Sequence, residues 1–155
     1  MGWRLSLMAI TWETYLWDTP HPATTDELEL IERQWGVKLP EDYTQVAMIH
    51  QGMSPSPCIL DVGRSNTAVS ELLTLSVDPE RSSYAMSQAY QVIKHLVPAG
   101  IYPFAGTGTG DFICFDYRVS PTAPKVVFYF TEAPGQEAIY PVADNFTEFL
   151  SKLHD

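Results

Sequence analysis

Two helix signals stand almost back to back in the first third of the chain, and they limit what it can fold into. Thr24 is followed three residues later by Glu27. That spacing lets a hydroxyl take the amide of the third helical residue while the carboxylate takes the cap's own amide. Leu28, Ile31 and Trp35 follow at i, i+3 and i+7, which puts them on one helix face, with Trp35 expected in the core near Tyr43 or Phe149. Asp26, Glu27 and Glu29 lie near the positive end of the helix dipole, and Gly36 supplies a left-handed stop. Pro40 suits the first position of a second helix, with Glu41 and Asp42 in its first turn and Tyr43, Val46, Ala47 and His50 on one face. The sequence thus predicts helices over Thr24 to Trp35 and Pro40 to His50, each with one apolar face needing a partner.

The rest of the chain is expected to supply that partner as a sheet. Ile101 to Phe104, Phe112 to Tyr117 and Val126 to Phe130 read as neighbouring antiparallel strands. They are joined by the loops Gly106-Thr107-Gly108-Thr109-Gly110 and Ser120-Pro121-Thr122-Ala123-Pro124. Asn145 with Glu148 opens a closing helix to Leu153 that carries Phe146, Phe149, Leu150 and Leu153 on one side. Between these lie a short helix over Trp12 to Trp17, a break at Thr19-Pro20-His21-Pro22, and a loop enforced by Pro55 and Pro57. A strand over Cys58 to Val62 follows, then an ambiguous run Val69 to Leu75 and a helix over Ser82 to Leu96. The expectation is a single α+β domain with helices packed on a mainly antiparallel or mixed sheet. At 155 residues, with 45% apolar content, the chain is long enough to bury a core without staples.

Several runs are similar to the SUKH superfamily. The stretch Leu28…Ile31-Glu32…Trp35-Gly36-Val37-Lys38-Leu39-Pro40-Glu41-Asp42-Tyr43…His50-Gln51-Gly52 resembles the family's opening. Pro103-Phe104-Ala105…Gly110-Asp111-Phe112-Ile113-Cys114-Phe115-Asp116 resembles its second motif, and Phe146…Phe149-Leu150 its closing helix. Together they run in order from about residue 10 to 153, leaving residues 1–9 as an N-terminal extension before a domain spanning 10–155. The family's loop is often Asp-Gly rich, whereas Gly106 to Gly110 here alternates Gly with Thr. The resemblance implies a bacterial immunity protein that binds and neutralises a polymorphic or contact-dependent toxin, often a nuclease. Its alternative is a regulatory interaction module like the fungal cell-wall regulator of the same superfamily. Neither branch carries a catalytic mechanism.

Charge agrees with a protein partner. Nineteen acidic against nine basic residues give a net charge of −10. Such a surface repels phosphate backbones and anionic lipid, which argues against nucleic-acid and membrane partners, and it attracts a basic protein. The acidic residues concentrate between Glu13 and Asp42. Glu29, Glu32, Glu41 and Asp42 are the candidate contacts for a cationic toxin domain, and Asp111 in the glycine-rich loop completes the set.

Catalytic, metal and cofactor signatures are missing from the sequence. The loop Gly106 to Gly110 has Asp111 where a dinucleotide fingerprint needs glycine, and a strand rather than a helix follows it. Asp111 is expected to bond loop amides. His21, His50, His95 and His154 are scattered without ligand spacing, and His50 reads as a satisfied, partly buried imidazole. No Gly-x-Ser-x-Gly is present, and Asp111 and Asp116 are poorly placed as an acid–base pair. Cys58 and Cys114 each sit in an apolar run, as buried thiols of a reducing cytoplasm do. At the N-terminus no signal peptide is expected, Gly2 with Ser6 makes only a formal myristoylation match, and either Met1 or Met8 can be the start.

Overall fold

The computed structural model describes residues 9–133 and 138–155. The expectations for the first eight residues therefore lie outside the described residues. The chain runs β1 (Thr11–Glu13), α1 (Thr25–Trp35), α2 (Glu41–His50), β2 (Ser54–Ser56), β3 (Ile59–Val62) and β4 (Ser65–Leu72). A 3-10 turn (Ser82–Tyr84) and α3 (Met86–Ile93) lead to β5 (Ile101–Thr107), β6 (Phe112–Asp116), β7 (Lys125–Tyr129), β8 (Ile139–Ala143) and α4 (Phe146–Ser151). Strands β3 to β8 form one antiparallel sheet in sequence order, and β1 pairs with β2 in a small second sheet. This is the expected α+β arrangement, with the three expected strands adjacent at its centre.

The caps explain why the helices begin where they do. Thr24 and Glu27 make both halves of the capping box, and Gly36 closes α1 at φ 69°. Pro40 lies one step outside α2 with ψ 143°, so it serves as the cap rather than the first helical residue. Asn145 accepts the Glu148 amide at the start of α4, which ends at Ser151, two residues short of the expected limit.

The central strands are buried on both faces, as strands covered on both sides must be. Phe115 and Phe128 join a large cluster fed by all four helices, through Ile31, Tyr43, Met86, Phe146 and Phe149 among others. The alternating residues Cys114, Val127 and Tyr129 meet Ile93, Val97 and Ile101 on the opposite face. Tyr43 stands at the middle of the larger cluster, wholly buried. Its ring is edge-on to Phe104, Phe115 and Phe146 at 5.7, 5.1 and 5.4 Å. Its hydroxyl donates to Met86 Sδ at 3.2 Å, and burial pushes its pKa far above the ordinary phenol value.

Five expectations need correction. Trp12 to Trp17 is not a helix: Thr11–Glu13 pairs with Ser54–Ser56, and Trp12 stacks on His50 at 5.5 Å. So short a helix forms only where caps and packing support it, and here the pairing with Ser54–Ser56 takes the backbone instead. Pro55 therefore lies in an edge strand, where its missing N–H is tolerated, rather than in a loop. The helix expected over Ser82 to Leu96 is broken at Ala85, which is extended at ψ 138°. Thr74 causes the break by donating its N–H to Tyr84 and accepting from Met86, both at 2.8 Å. Helix α3 consequently buries Met86, Ala89 and Ile93 and exposes Val92, and it ends before Leu96, which is exposed in the turn that follows. Cys58 is only half-buried, whereas Cys114 is buried; both are free thiols, and burial raises Cys114 well beyond the usual thiol range.

Trp35 is the fifth. It was expected beside Tyr43 or Phe149, but it is half-buried at the edge of the cluster, stacked on Tyr102 at 4.6 Å and edge-on to Tyr90. Tyr102 also donates its hydroxyl to the Trp35 carbonyl at 3.2 Å. Truncating a fully buried large aromatic costs about 3–5 kcal/mol. Tyr43→Ala should fall in that range in urea denaturation and Trp35→Ala below it; the reverse order would show that Trp35, not Tyr43, is the core anchor.

Candidate functional site

Three of the five candidate acidic residues are engaged in holding the fold. The Asp42 carboxylate accepts the Tyr43 amide at 2.9 Å and, across to α4, both the amide and the hydroxyl of Thr147 at 2.9 and 2.7 Å. Together with Asn145 it satisfies two amides in the first turn of a six-residue helix. Glu32 accepts the Leu39 amide at 2.7 Å, tying the end of α1 to the connector before α2. Asp111 takes the Thr109 hydroxyl at 2.8 Å and the amide and hydroxyl of Thr131 at 2.9 and 3.0 Å. Its amide partner is thus the chain leaving β7, not the loop amides expected. Glu41 only accepts from Gln45 on its own helix, and both it and Glu29 are exposed.

The glycine-rich loop is a closed turn. Thr107 and Gly110 bond to Asp111 and Thr107 carbonyls at 3.1 and 3.2 Å, and Gly108 donates to Ala68 at 3.0 Å. These three amides are therefore taken by the chain itself and do not converge on a phosphate.

At the end of α2, Gln51 is a buried polar hub. It donates to the His21 carbonyl at 2.7 Å and to the Ser76 hydroxyl at 3.1 Å, and accepts the Leu75 and Ser76 amides at 2.9 and 3.3 Å. Gly52 beside it, at φ 73°, packs so closely against Trp17 that a Cβ would come within 2.7 Å of the ring. His50 departs from expectation. It is partly buried, but its Nδ1 has no hydrogen-bond partner among the described residues, and burial holds its pKa below the ordinary imidazole value.

Two surface clefts differ in what they offer. One, of about 440 Å³, lies between the β7–β8 end of the sheet and α4. Its charges are matched within the chain: Arg118 with Asp116 at 2.9 Å, Lys152 with Glu148 at 3.5 Å, and Lys125 with Asp144 at 3.9 Å. The other, of about 360 Å³, lies beside the glycine-rich loop and contains Glu71, which the sequence reading left unremarked in the ambiguous run Val69 to Leu75. A bulge between Val69 and Glu71 places Val69 and Leu72 in the apolar core and seats the Glu71 carboxylate where residue 106 would carry a Cβ. Only glycine leaves that space. Glu71 is 6% exposed and makes no ion pair among the described residues. Burial lifts its carboxyl from the ordinary 4.5 to about 7, against the pull of the Ser70 hydroxyl and the N–H groups of Glu71 and Gly106. The sequence signal was one carboxylate between Val69 and the apolar pair Leu72-Leu73; its glycine partner is set by the register with β5.

Among the described residues, no group of three or more His, Cys, Asp or Glu is placed to hold a metal, and no helix is long and apolar enough to cross a membrane.

The sequence model of the SMI1 / KNR4 family (SUKH-1) matches residues 22–152, which takes in everything from the capping box to α4. No curated protein matches the chain.

Two outcomes are expected. Asp42→Ala should cost about 1–2 kcal/mol in urea denaturation, the usual loss for a helix cap, while Glu29→Ala should stay within about 0.5 kcal/mol. Equal effects would mean that the Thr147 contacts contribute nothing. For Glu71, the folded chain keeps a proton that the unfolded chain releases between pH 4.5 and about 7, so stability falls as pH rises through that window. Glu71→Gln should match the parent below pH 4.5 and gain on it toward pH 7 and above. Parallel denaturation midpoints across the range would show that ionising Glu71 carries no penalty.

Proposed function

The chain belongs to the SMI1 / KNR4 family (SUKH-1), and from that premise we propose that it is a binding protein, not an enzyme, which neutralises a cognate toxin domain. It would act as an immunity protein in the cytoplasm of the producing cell, as a single domain over residues 10–155. The family match is the observation that carries this reading. The proposed partner is a basic protein domain, held sterically and by opposite charge.

The acidic excess supports that choice of partner. Glu29 and Glu41 are exposed and, among the described residues, bond to no other element, so their charge is available to an approaching cation. Glu32, Asp42 and Asp111 remain within the proposed contact surface, but their carboxylates already accept bonds from the fold and contribute mainly through their field. The regulatory-module reading shares the same family match and predicts no toxin partner.

The test is co-expression and co-purification with the product of an adjacent toxin-like reading frame, followed by kinetics. A stable complex and restored growth are expected; unrelieved toxicity with no complex would sink the immunity reading. Within the complex, association should slow as salt rises, because steering is screened over about 10 Å at roughly 0.1 M salt, while dissociation changes little. Substituting Glu29 and Glu41 together with Gln should lower the association rate and flatten its salt dependence. A salt-independent rate unaffected by the double substitution would remove the charge mechanism.

A further inference from the structure

The cleft beside the glycine-rich loop has an unusual composition for an acidic surface. Its one deeply placed charge, Glu71, is buried and unpaired by any cation among the described residues. The Ser70 hydroxyl and the N–H groups of Glu71 and Gly106 reach this carboxyl without offsetting the cost of burying its charge, and the most effective further complement is a cation. Gly106, the partner of Glu71 across β4 and β5, lines the same cleft, and the carboxylate occupies the side-chain side of that glycine.

The surroundings select among cations. Tyr15, Tyr84 and Phe112 line the cleft, each from a different segment: the stretch after β1, the 3-10 turn and the start of β6. Tyr15 is exposed. Aromatic faces beside a carboxylate suit a guanidinium, which stacks on rings and bonds a carboxylate through two parallel N–H groups; a compact, strongly hydrated ammonium does neither as well. Besides Glu71, the titratable groups lining the cleft are Tyr15, Tyr84 and Asp111, so the lining holds no basic group to compete for the site.

We infer that this cleft is an anchor pocket for an arginine side chain of the protein partner, with Glu71 as the recognition carboxylate and Tyr15, Tyr84 and Phe112 as the stacking walls. The inference rests on the binding-protein reading above and makes it specific: long-range acidity brings a basic partner in, and one arginine reads the cleft. Ionisation of Glu71, unfavourable in the free protein, becomes favourable once the guanidinium arrives. Affinity for arginine should therefore weaken as the pH falls through the range in which Glu71 takes up a proton.

The pocket can be tested on the protein alone, so that its failure is separate from failure of the toxin assay. The probe is N-acetyl-arginine-N′-methylamide, which presents arginine as a residue in a chain, titrated into protein carrying ¹³C-labelled glutamate. The expected result is a saturable shift of the Glu71 carboxyl resonance and of the Gly106 amide, with the Glu71 titration displaced to lower pH. The isosteric citrulline compound, which lacks the charge, should leave both unmoved, and Glu71→Gln should abolish the response. No shift with the arginine compound, or an equal shift with citrulline, would overturn the proposal. Tighter binding of free zwitterionic arginine than of the blocked residue would also overturn it, by assigning the cleft to a small molecule instead of a partner's side chain.

Discussion

The fold depends on a tyrosine with almost nothing polar to touch. Tyr43 meets three phenylalanine edges and donates only to a methionine sulfur. Edge-to-face rings favour one relative orientation, so this contact fixes how α2 lies against β5, β6 and α4, rather than merely keeping water out. The preceding residue completes the arrangement: Asp42 bonds the first turn of α4 and so fixes that helix along its length as well as its depth. Two consecutive residues, one apolar and one charged, thus set the geometry between segments more than a hundred positions apart.

Legibility in the sequence followed the range of the forces involved. The capping box at Thr24, the stop at Gly36 and the Asn145 cap are local arrangements, and the structure keeps each. Strands β5 to β7 were readable because apolar runs of strand length cannot be solvated. What was not readable depends on distant partners. The strand at Thr11 exists because residues 54–56 lie opposite it; the break at Ala85 exists because Thr74 takes the neighbouring backbone groups. Strand β8 has exposed Tyr140 and Pro141 in its middle and offered no alternation to detect. The candidate site was legible as charge and not as geometry. Glu29 and Asp42 look alike as acidic residues near helix starts, and only the position of Thr147 separates an exposed charge from a structural one.

The acidic surplus is therefore best divided by what each carboxylate does. Glu27, Glu32, Asp42 and Asp111 satisfy amides that would otherwise be unpaired. Asp116, Asp144 and Glu148 have cations of their own. Asp116 shows the balance within such a pair: burial pushes its carboxyl up, but the hydrogen bonds and charge of Arg118 outweigh that and hold it below the usual range. Glu71 also accepts a hydroxyl and two amides, but it is buried and has no cation among the described residues, and that sets it apart from the rest of the net charge of −10.

The antiparallel order of the sheet also says something about time. Strands β5 to β8 follow one another through short connections, so their pairing closes small loops, which is the quick kind of assembly. The aromatic centre follows a different schedule. Tyr43 leaves a ribosome well before Phe104, Phe115 and Phe146, and the Asp42 clasp waits for Thr147 in α4. During synthesis the two leading helices are left without these partners, and the clasp between them and α4 closes only 105 residues after Asp42 has been added.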